Sequence, residues 1–177
     1  VVWCLAPLDT DGVSFGLRPR MTRVRPPNVV RWGSTRGGGA DHVEEAVAEV
    51  RSVEAGAIVT FVGTTRAHSR GREVVRLEYE AYEEMALAEL ERLAAGLRER
   101  HELIGVAIHH RTGIVDPGET SVVIAISSVH RAAALAACAE AIDTLKQTVP
   151  LWKKEVYADG SVWVGSESDY QAEMRAR

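Results

Sequence analysis

The spacing of hydrophobic and polar positions predicts both strands and helices after residue 38. Residues 74–82 alternate, with Val75, Leu77, Tyr79 and Ala81 on one face and Arg76, Glu78 and Glu80 on the other, which predicts a half-buried strand. Residues 56–63 form a short apolar run rich in β-branched side chains and predict a buried strand. Residues 83–100 carry Ala86, Leu90, Leu93 and Leu97 at helical spacing and predict an amphipathic helix.

The remaining elements follow from the same patterns and from turn residues. Asp41 and Glu44 resemble a capping box that opens a helix at about 41–52. A second helix is predicted at 131–147, with Leu135, Cys138, Ile142 and Leu145 on one stripe. Strands are predicted at 104–111 and 120–128 with a turn at Asp116-Pro117-Gly118, a polar loop at 65–72, and a last hairpin that turns at Asp159-Gly160. Because hairpins are frequent and helices and strands do not alternate strictly, the predicted fold class is α+β with a mostly antiparallel sheet.

Composition and charge divide the chain into two parts. The chain has 177 residues, of which 46% are hydrophobic and 26% charged, as expected for a globular protein with one main domain. Residues 1–36 contain six arginines and two acidic residues, whereas the whole chain carries a net charge of −4. We place a boundary near residue 38. Residues 1–38 are expected to be a basic, disordered Arg/Pro/Gly-rich extension, with a contact to nucleic acid or a partner as the alternative; residues 39–177 are expected to form the folded domain.

Few features suggest a membrane, a metal or a disulfide. No apolar run approaches the roughly 18 residues of a membrane span. Cys4 and Cys138 match neither a metal-ligand spacing nor a disulfide framework, so no metal is expected and a reducing, cytoplasmic location is expected. Cys138 lies on the apolar stripe of a helix and is predicted to be a small buried hydrophobic residue.

All three lysines of the chain lie in one stretch, LKQTVPLWKKE, residues 145–155. Lys146 falls in the last turn of a helix that Pro150 must end, so Lys153 lies beyond the break in an extended segment. The break can bring the two ammonium groups together, where each, with desolvation by Trp152, favours the neutral form of the other. A neutral lysine can act as a base or nucleophile, unlike arginine at neutral pH. The alternative, which spacing alone favours, is a solvated basic turn stabilised by the helix dipole.

Other cations lie where predicted elements end. Arg66, Arg70 and Arg72 crowd the loop after the strand 56–63, and His130-Arg131 opens a helix, which is a natural phosphate site. Cations at loop ends of an acidic domain predict a focused anion pocket, with a solvated loop as the alternative for Arg70 and Arg72. His109 and His110 point to opposite faces of a strand, so they cannot form one metal site.

Several segments, in order, resemble the large, catalytic subunit of molybdopterin synthase, the MoaE family. They are GAIVTFVGTTR, LEYEAYEEMA, HHRTGIVDPGE, SSVHRAAAL and LKQTVPLWKKE followed by GSVWVG, and the resemblance covers about residues 54–169. It implies an α/β-hammerhead-like domain with two to three helices. It also implies a sulfurtransferase of molybdenum cofactor biosynthesis, which converts cyclic pyranopterin monophosphate (precursor Z) into molybdopterin. The implied sulfur donor is a small ubiquitin-like subunit with a C-terminal glycine thiocarboxylate. The implied assembly is a homodimer within a heterotetramer, with no cofactor and no nucleic acid.

The resemblance also implies roles for individual residues. Lys146 and Lys153 would be the catalytic pair, with Lys146 the base or nucleophile near the thiocarboxylate and Lys153 stabilising negative charge. The implied substrate-binding residues are Thr64, Thr65, Arg66, His130, Arg131, Lys146, Lys153, Lys154 and Glu155. Among these, Arg66, His130 and Arg131 would hold the cyclic phosphate and pterin, and Arg66 would serve its own protomer or a neighbouring one. Family members begin with a strand before the first helix, for which VVWCLAPL and the region of Asn28-Val29-Val30 are the candidates.

Two further functions stay open at this point. The first is a non-enzymatic module that binds an anionic ligand or nucleic acid through the same cations, although the body is acidic and lacks an aromatic stacking motif. The second is an inactive scaffold that only binds the small subunit, although every matched cationic position is retained. A sulfur donor on another chain agrees with the sequence, because neither cysteine is an evident sulfur carrier.

Overall fold

The computed structural model describes residues 28–33, 39–166 and 169. In chain order the elements are β1 (Val29–Gly33), α1 (Gly39–Val50), β2 (Ala57–Thr64), β3 (His68–Ser69), β4 (Arg72–Ala81), α2 (Glu83–Arg100), β5 (Leu103–Arg111), β6 (Gly113–Val115), β7 (Thr120–Ser128), α3 (Arg131–Thr148), β8 (Leu151–Tyr157) and β9 (Val162–Ser166). The predicted α+β class is confirmed. Two short strands were not predicted: β3 lies within the predicted loop 65–72, and β6 lies between the two predicted strands of a hairpin.

The strands form two sheets. The first sheet has the order β1-β5-β7-β2, and the second has the order β3-β4-β8-β9 with β6 paired to β4. Only the β1–β5 pairing is parallel among the described strands, and all the others are antiparallel. The turns at Asp116-Pro117-Gly118 and Asp159-Gly160 are present, and Gly118 and Gly160 adopt φ angles of 87° and 81°, which suit glycine.

The first sheet is covered by helices on both faces. Alternate residues of β5 and β7, including Ile108 and Ile124, join the large core with α2 and α3. The intervening residues, including Ala107 and Val123, pack in a smaller cluster with Ala46 and Val50 of α1. Because both faces are covered, all nine positions of β5 and all nine of β7 are buried. This explains why both strands read as continuous apolar runs.

Strand β1 belongs to the first sheet. Val29 to Gly33 pair with Ala107 to Arg111 of β5. This strand contains Val29 and Val30, one of the two regions suggested for it, while VVWCLAPL lies outside the described residues. β1 precedes the boundary predicted near residue 38, so five residues of the predicted extension pair with the sheet. The other residues of 1–38 lie outside the described part of the chain.

Three local predictions differ from the structure. The face assignment of Val75 was wrong: Val74 is buried and Val75 is 45% exposed, because the register with β8 shifts between Val74 and Arg76 and reverses the alternation. Leu135 was wrongly placed on the buried stripe of α3; it is 55% exposed, and the buried positions are mostly alanines. Helix α1 begins at Gly39, so Asp41 lies inside the helix rather than at its N-cap.

The helix predicted at 83–100 is confirmed, with Ala86, Leu90, Leu93 and Leu97 buried. Cys138 is buried as predicted. Among the described helices, none combines the length and apolar character needed to cross a membrane.

Candidate active site

A cavity of about 150 Å³ lies between the two sheets, near the C-terminal end of α3. It is lined by the end of β2 and the following residues, by α3, and by β4, β7 and β8. Six of the residues singled out in the sequence line this cavity: Thr64, Thr65, Arg66, Lys146, Lys153 and Glu155. These residues come from parts of the chain about 80 positions apart, and the fold brings them together.

The proline break places the two lysines on this cavity. Helix α3 ends at Thr148, and Val149 has an extended backbone with a ψ of 124°. Strand β8 then starts at Leu151, and its odd-numbered residues point inward and are buried. Lys146 therefore reaches the cavity from the last turn of the helix and Lys153 from the strand.

Lys153 forms a buried ion pair. Its Nζ lies 3.2 Å from Oε1 of Glu155, and the two residues are 5% and 3% exposed. The hydroxyl of Tyr157 donates to Oε2 of Glu155 at 2.5 Å. Burial raises the pKa of the Glu155 carboxyl, but the hydrogen bonds from Tyr157 and Ser69 and the charge of Lys153 outweigh burial, so the pKa lies below its ordinary value. The cavity wall therefore contains a paired carboxylate beside an ammonium group.

The indole beside Lys153 belongs to Trp163, not to Trp152. Trp152 was expected to desolvate the lysines, but it lies on the opposite face of β8 and is 56% exposed. The Nζ of Lys153 lies 5.6 Å from the Trp163 ring centroid, and the guanidinium of Arg70 lies 4.4 Å from it. Gly165 is paired in register with Lys153, and a Cβ at Gly165 would lie 2.6 Å from the Trp163 ring. The missing side chain at Gly165 thus makes room for the indole beside Lys153.

The segment after β2 is fixed by the 116–119 turn. The backbone N–H of Thr65 donates to the carbonyl of Glu119 at 2.9 Å, and the N–H of Gly118 donates to the carbonyl of Thr65 at 2.8 Å. Thr65 is buried, and its Oγ1 has no hydrogen-bond partner within the described part of the chain. Burying a hydroxyl without a hydrogen bond costs free energy. Because Thr65 lies in the wall of the cavity, its hydroxyl is suited to binding a polar ligand. Arg66 lines the cavity of its own chain.

Three other implied site residues lie elsewhere. Lys154 points to the outer face of β8 and pairs with Glu78 at 2.9 Å. His130 and Arg131 are exposed at the N-terminus of α3. Lys146 follows Arg131 by 15 positions in α3, so the two positions are about 22 Å apart along the helix axis. A single chain therefore does not bring His130 and Arg131 to the cavity that contains the two lysines.

Several residues of the cavity wall, His110 among them, were not predicted from the sequence. His110 is buried in the wall, its Nδ1–H donates to the carbonyl of Arg111 at 2.8 Å, and its ring packs between Tyr79 and Trp32. His110 also borders a neighbouring cavity of about 410 Å³. The opposite orientation of His109 is confirmed, since its Nε2 lies 2.7 Å from Glu49 of α1. The pairing of β5 with both its neighbours, which places His110 here, could not be read from local spacing.

The alternation of side chains along β8 could have predicted that Tyr157 lies beside Glu155. Positions 153, 155 and 157 share one face of an extended strand, so Lys153, Glu155 and Tyr157 had to be neighbours. The same alternation separates Lys154 from them.

Two side-chain types among the described residues, metal ligands and thiols, bear on the chemistry of the cavity. The described residues contain no group of three or more His, Cys, Asp or Glu side chains that could hold a metal ion. Burial raises the pKa of the Cys138 thiol, which keeps it protonated and poorly nucleophilic. The described cavity wall presents two lysines, a paired carboxylate and an arginine, which together suit an anionic ligand.

Comparisons with known proteins agree on one family. The family model described as MoaE protein matches residues 40–148. The molybdopterin synthase catalytic subunit of Bacillus subtilis is 47% identical over 131 residues, which cover 74% of this chain and 83% of that protein. The crystal structure of molybdopterin synthase from Staphylococcus aureus is similar with a TM-score of 0.68 and 31% identity, covering 77% of this chain and 96% of that one. A complex of subunits 1 and 2 of molybdopterin-converting factor from Helicobacter pylori shares the fold, with a TM-score of 0.56, 21% identity, and coverage of 73% of this chain and 84% of that one.

Proposed function

Because this chain belongs to the MoaE protein family, we propose that it is the catalytic subunit of a molybdopterin synthase and acts in molybdenum cofactor biosynthesis. In the proposed reaction it converts cyclic pyranopterin monophosphate into molybdopterin by inserting the dithiolene sulfurs. The sulfur arrives as a thiocarboxylate on the C-terminal glycine of a small ubiquitin-like subunit. The observation that carries this proposal is the convergence of Lys146 and Lys153 on one cavity.

The cavity suits a tail that carries an anionic thiocarboxylate and a substrate that carries a phosphate. Lys146 is the base or nucleophile nearest the incoming thiocarboxylate in this proposal. Lys153 binds substrate and stabilises negative charge that develops during sulfur transfer, which fixed charges achieve well in a site shielded from water. Arg66 and the Thr65 hydroxyl supply further donors to the substrate. The protonated, buried Cys138 agrees with sulfur that comes from a partner.

The proposed partner is a small subunit whose tail enters the cavity. The Helicobacter pylori structure with the same fold is described as a complex of two subunits of molybdopterin-converting factor. Such a tail would end beside Lys146 and Lys153, which both line the cavity.

Substitution of the lysines tests the proposed function. Lys146→Ala and Lys153→Ala are expected to abolish product formation while the far-UV circular dichroism spectrum stays that of the parent. Lys154→Ala is expected to retain turnover, because Lys154 pairs with Glu78 on the outer face of β8. Near-normal turnover in both Lys146→Ala and Lys153→Ala would refute the proposal.

We further propose that His130 and Arg131 act in the cavity of a second copy of the chain. The distance of about 22 Å along α3 prevents them from reaching the lysines of their own chain. Both side chains are exposed at the start of a helix, where the backbone N–H groups and the charges favour a phosphate. A homodimer that presents the start of α3 to the neighbouring cavity would unite all the implied cations.

Mixing two inactive variants tests this arrangement. In a mixed dimer, the Arg131→Ala copy contributes a cavity with both lysines, and the Lys146→Ala copy contributes an intact Arg131 to that cavity. If the site is shared, unfolding and refolding an equal mixture of the two should restore about a quarter of the parent's active sites, since half the dimers are mixed and each has one complete site. If the mixture stays inactive while parent protein recovers fully after the same treatment, the shared site is refuted.

A further inference from the structure

Tyr157, Glu155 and Lys153 form a continuous buried chain of polar groups. They occupy alternate positions of β8, so all three side chains lie on its inner face. Each oxygen of the Glu155 carboxylate has its own partner: Oε2 accepts from the Tyr157 hydroxyl at 2.5 Å, and Oε1 lies 3.2 Å from the Lys153 ammonium. Tyr157 is 2% exposed and, unlike the other two residues, does not line the cavity.

The protonation states of Tyr157 and Glu155 determine which group donates and which accepts the hydrogen bond between them. Burial, and next the neighbouring Glu155 carboxylate, raise the pKa of Tyr157, so its hydroxyl stays protonated and donates. The hydrogen bonds and the nearby ammonium keep the pKa of Glu155 low despite burial, so this carboxyl is ionised at neutral pH. A buried carboxylate needs all its partners to be stable, and Tyr157 satisfies the oxygen that Lys153 does not.

Tyr157 is itself held from two sides. The guanidinium of Arg72, at the start of β4, lies 4.1 Å from the centroid of the Tyr157 ring, and Arg72 Nη1 donates to Ser161 Oγ in the β8–β9 turn at 2.9 Å. The backbone of Tyr157 bonds to Ser161 and to Gly160 in the same turn. The Tyr157 ring therefore packs against Arg72 of β4, and the Tyr157 backbone is bonded within the hairpin turn.

We propose that Tyr157 is a positioning residue for sulfur transfer, which holds the Lys153 ammonium in place through the Glu155 carboxylate. This inference rests on the proposed function, because it assigns Lys153 a role in the reaction. A lysine side chain has four flexible carbons and binds as a mobile point charge, so its location depends on its partner. Displacement of a charged group by about 1 Å is enough to lower a catalytic rate strongly. Tyr157 does not line the cavity, so it would act on the substrate only through Glu155 and Lys153.

The decisive variant is Tyr157→Phe, which keeps the ring and its contact with Arg72 but removes the donor to Glu155. The matched control is Tyr82→Phe, the same change at an exposed tyrosine that precedes α2. In a reconstituted assay we expect Tyr157→Phe to lower kcat roughly 10- to 100-fold, the range for a lost hydrogen bond to a charged group. KM for the small subunit should stay near that of the parent, and Tyr82→Phe should match the parent in both.

The pH–rate profile provides a readout that a purely structural role would not move. Because Tyr157 lowers the pKa of Glu155, its removal raises that pKa, and the acid limb of the profile should shift to higher pH. The titratable or hydrogen-bonding groups that face Glu155 or share its cavity wall are Lys153, Tyr157, Ser69, Arg66, Lys146, Tyr79 and His110. Ser69→Ala removes a second donor to the same carboxylate and should shift the acid limb in the same direction.

Lysine labelled with ¹³C at Cε offers a test that does not depend on activity. The chain has three lysines, so three Cε signals are expected, each assigned by one lysine substitution. Tyr157→Phe should change the chemical shift of Lys153 Cε and leave that of Lys154 in place, because Lys154 pairs with Glu78 on the other face.

The outcomes separate the two proposals. If Lys153→Ala is inactive but Tyr157→Phe matches the parent in rate, pH profile and Lys153 signal, the positioning role is overturned and the proposed function stands. If Lys153→Ala turns over normally, the role of Lys153 in the reaction fails, and the positioning role fails with it. If Tyr157→Phe does not fold, Ser69→Ala decides: an unshifted acid limb and an unmoved Lys153 signal overturn the proposal.

Discussion

The two neighbouring lysines of β8 give a matched comparison of a buried and a surface ion pair. Lys153 pairs with Glu155 at 3.2 Å, and both residues are almost fully buried. Lys154 pairs with Glu78 at 2.9 Å, where the two side chains are 39% and 20% exposed. Glu155→Gln and Glu78→Gln each remove one carboxylate charge and keep the size of the side chain. Glu78 also pairs with Arg76 at 2.7 Å, so Glu78→Gln removes the partner of two partly exposed cations, whereas Glu155→Gln removes the partner of one buried ammonium group.

The expected losses of stability differ several-fold. Removing one partner of a buried ion pair costs about 3–5 kcal/mol, because the other charge stays buried without compensation. Removing one partner of a surface pair costs about 0.2–1 kcal/mol, since water solvates the remaining charge. For a chain of this size, a change of 1 kcal/mol moves Tm by about 2–4 °C, so Glu155→Gln should lower Tm by at least about 6 °C. Adding Lys153→Met to Glu155→Gln should recover most of the loss, because no buried charge then remains.

Equilibrium unfolding in urea at pH 7, followed by far-UV circular dichroism at one fixed protein concentration, measures these differences. Equal losses below about 1 kcal/mol for Glu155→Gln and Glu78→Gln would refute the assignment of a buried, coupled Lys153–Glu155 pair. A double variant that is less stable than Glu155→Gln alone would refute the explanation by an uncompensated charge.

Three further predictions follow from the packing and the titration of the same region. Gly165→Ala should displace the Trp163 indole, because the new Cβ would lie 2.6 Å from the ring, with a loss of about 1–3 kcal/mol in thermal unfolding and a changed tryptophan emission spectrum. Cys138→Ala should retain sulfur transfer, and in the parent the buried Cys138 should react with a thiol reagent only after unfolding, as followed by mass spectrometry of the labelled peptide. The pKa of Glu155 in the folded state lies below its ordinary value of 4.5, so its ionised form stabilises the folded protein at pH values above about 4.5, and this contribution is lost as the pH falls further. Glu155→Gln should therefore lose less stability than the parent as the pH falls below about 4.5, as measured by urea unfolding at several pH values.

The sequence predicted the elements well because their signals are local. The Leu90 and Leu97 stripe, the glycine turns at 118 and 160, and the helix break at Pro150 each depend on a few adjacent residues. The reversal at Val75 was missed because it depends on a register shift against β8, which lies some 80 residues away. The exposure of Leu135 was missed because α3 packs through alanines, which carry little weight in a hydrophobic pattern.

The candidate site was predictable where one strand or one helix end determines it. Alternation in β8 separates Lys154 from the inward-facing Lys153 and Glu155, although the sequence reasoning grouped all three at the pocket. Trp163 takes the place expected for Trp152 because β9 pairs with β8 and Gly165 leaves space for the indole. The location of Arg131 far from the lysines depends on the path of the whole of α3, which no short motif contains.

The proposed function requires that Lys146 and Lys153 form one site for sulfur transfer from a partner chain. The most direct measurement mixes the protein with a thiocarboxylated small subunit and cyclic pyranopterin monophosphate in the absence of oxygen, and quantifies the dithiolene product. We expect product with the parent chain, stoichiometric consumption of the thiocarboxylate, and no product with Lys146→Ala or Lys153→Ala. Absence of product with a folded parent chain, or parent-like product formation by both lysine variants, would contradict it.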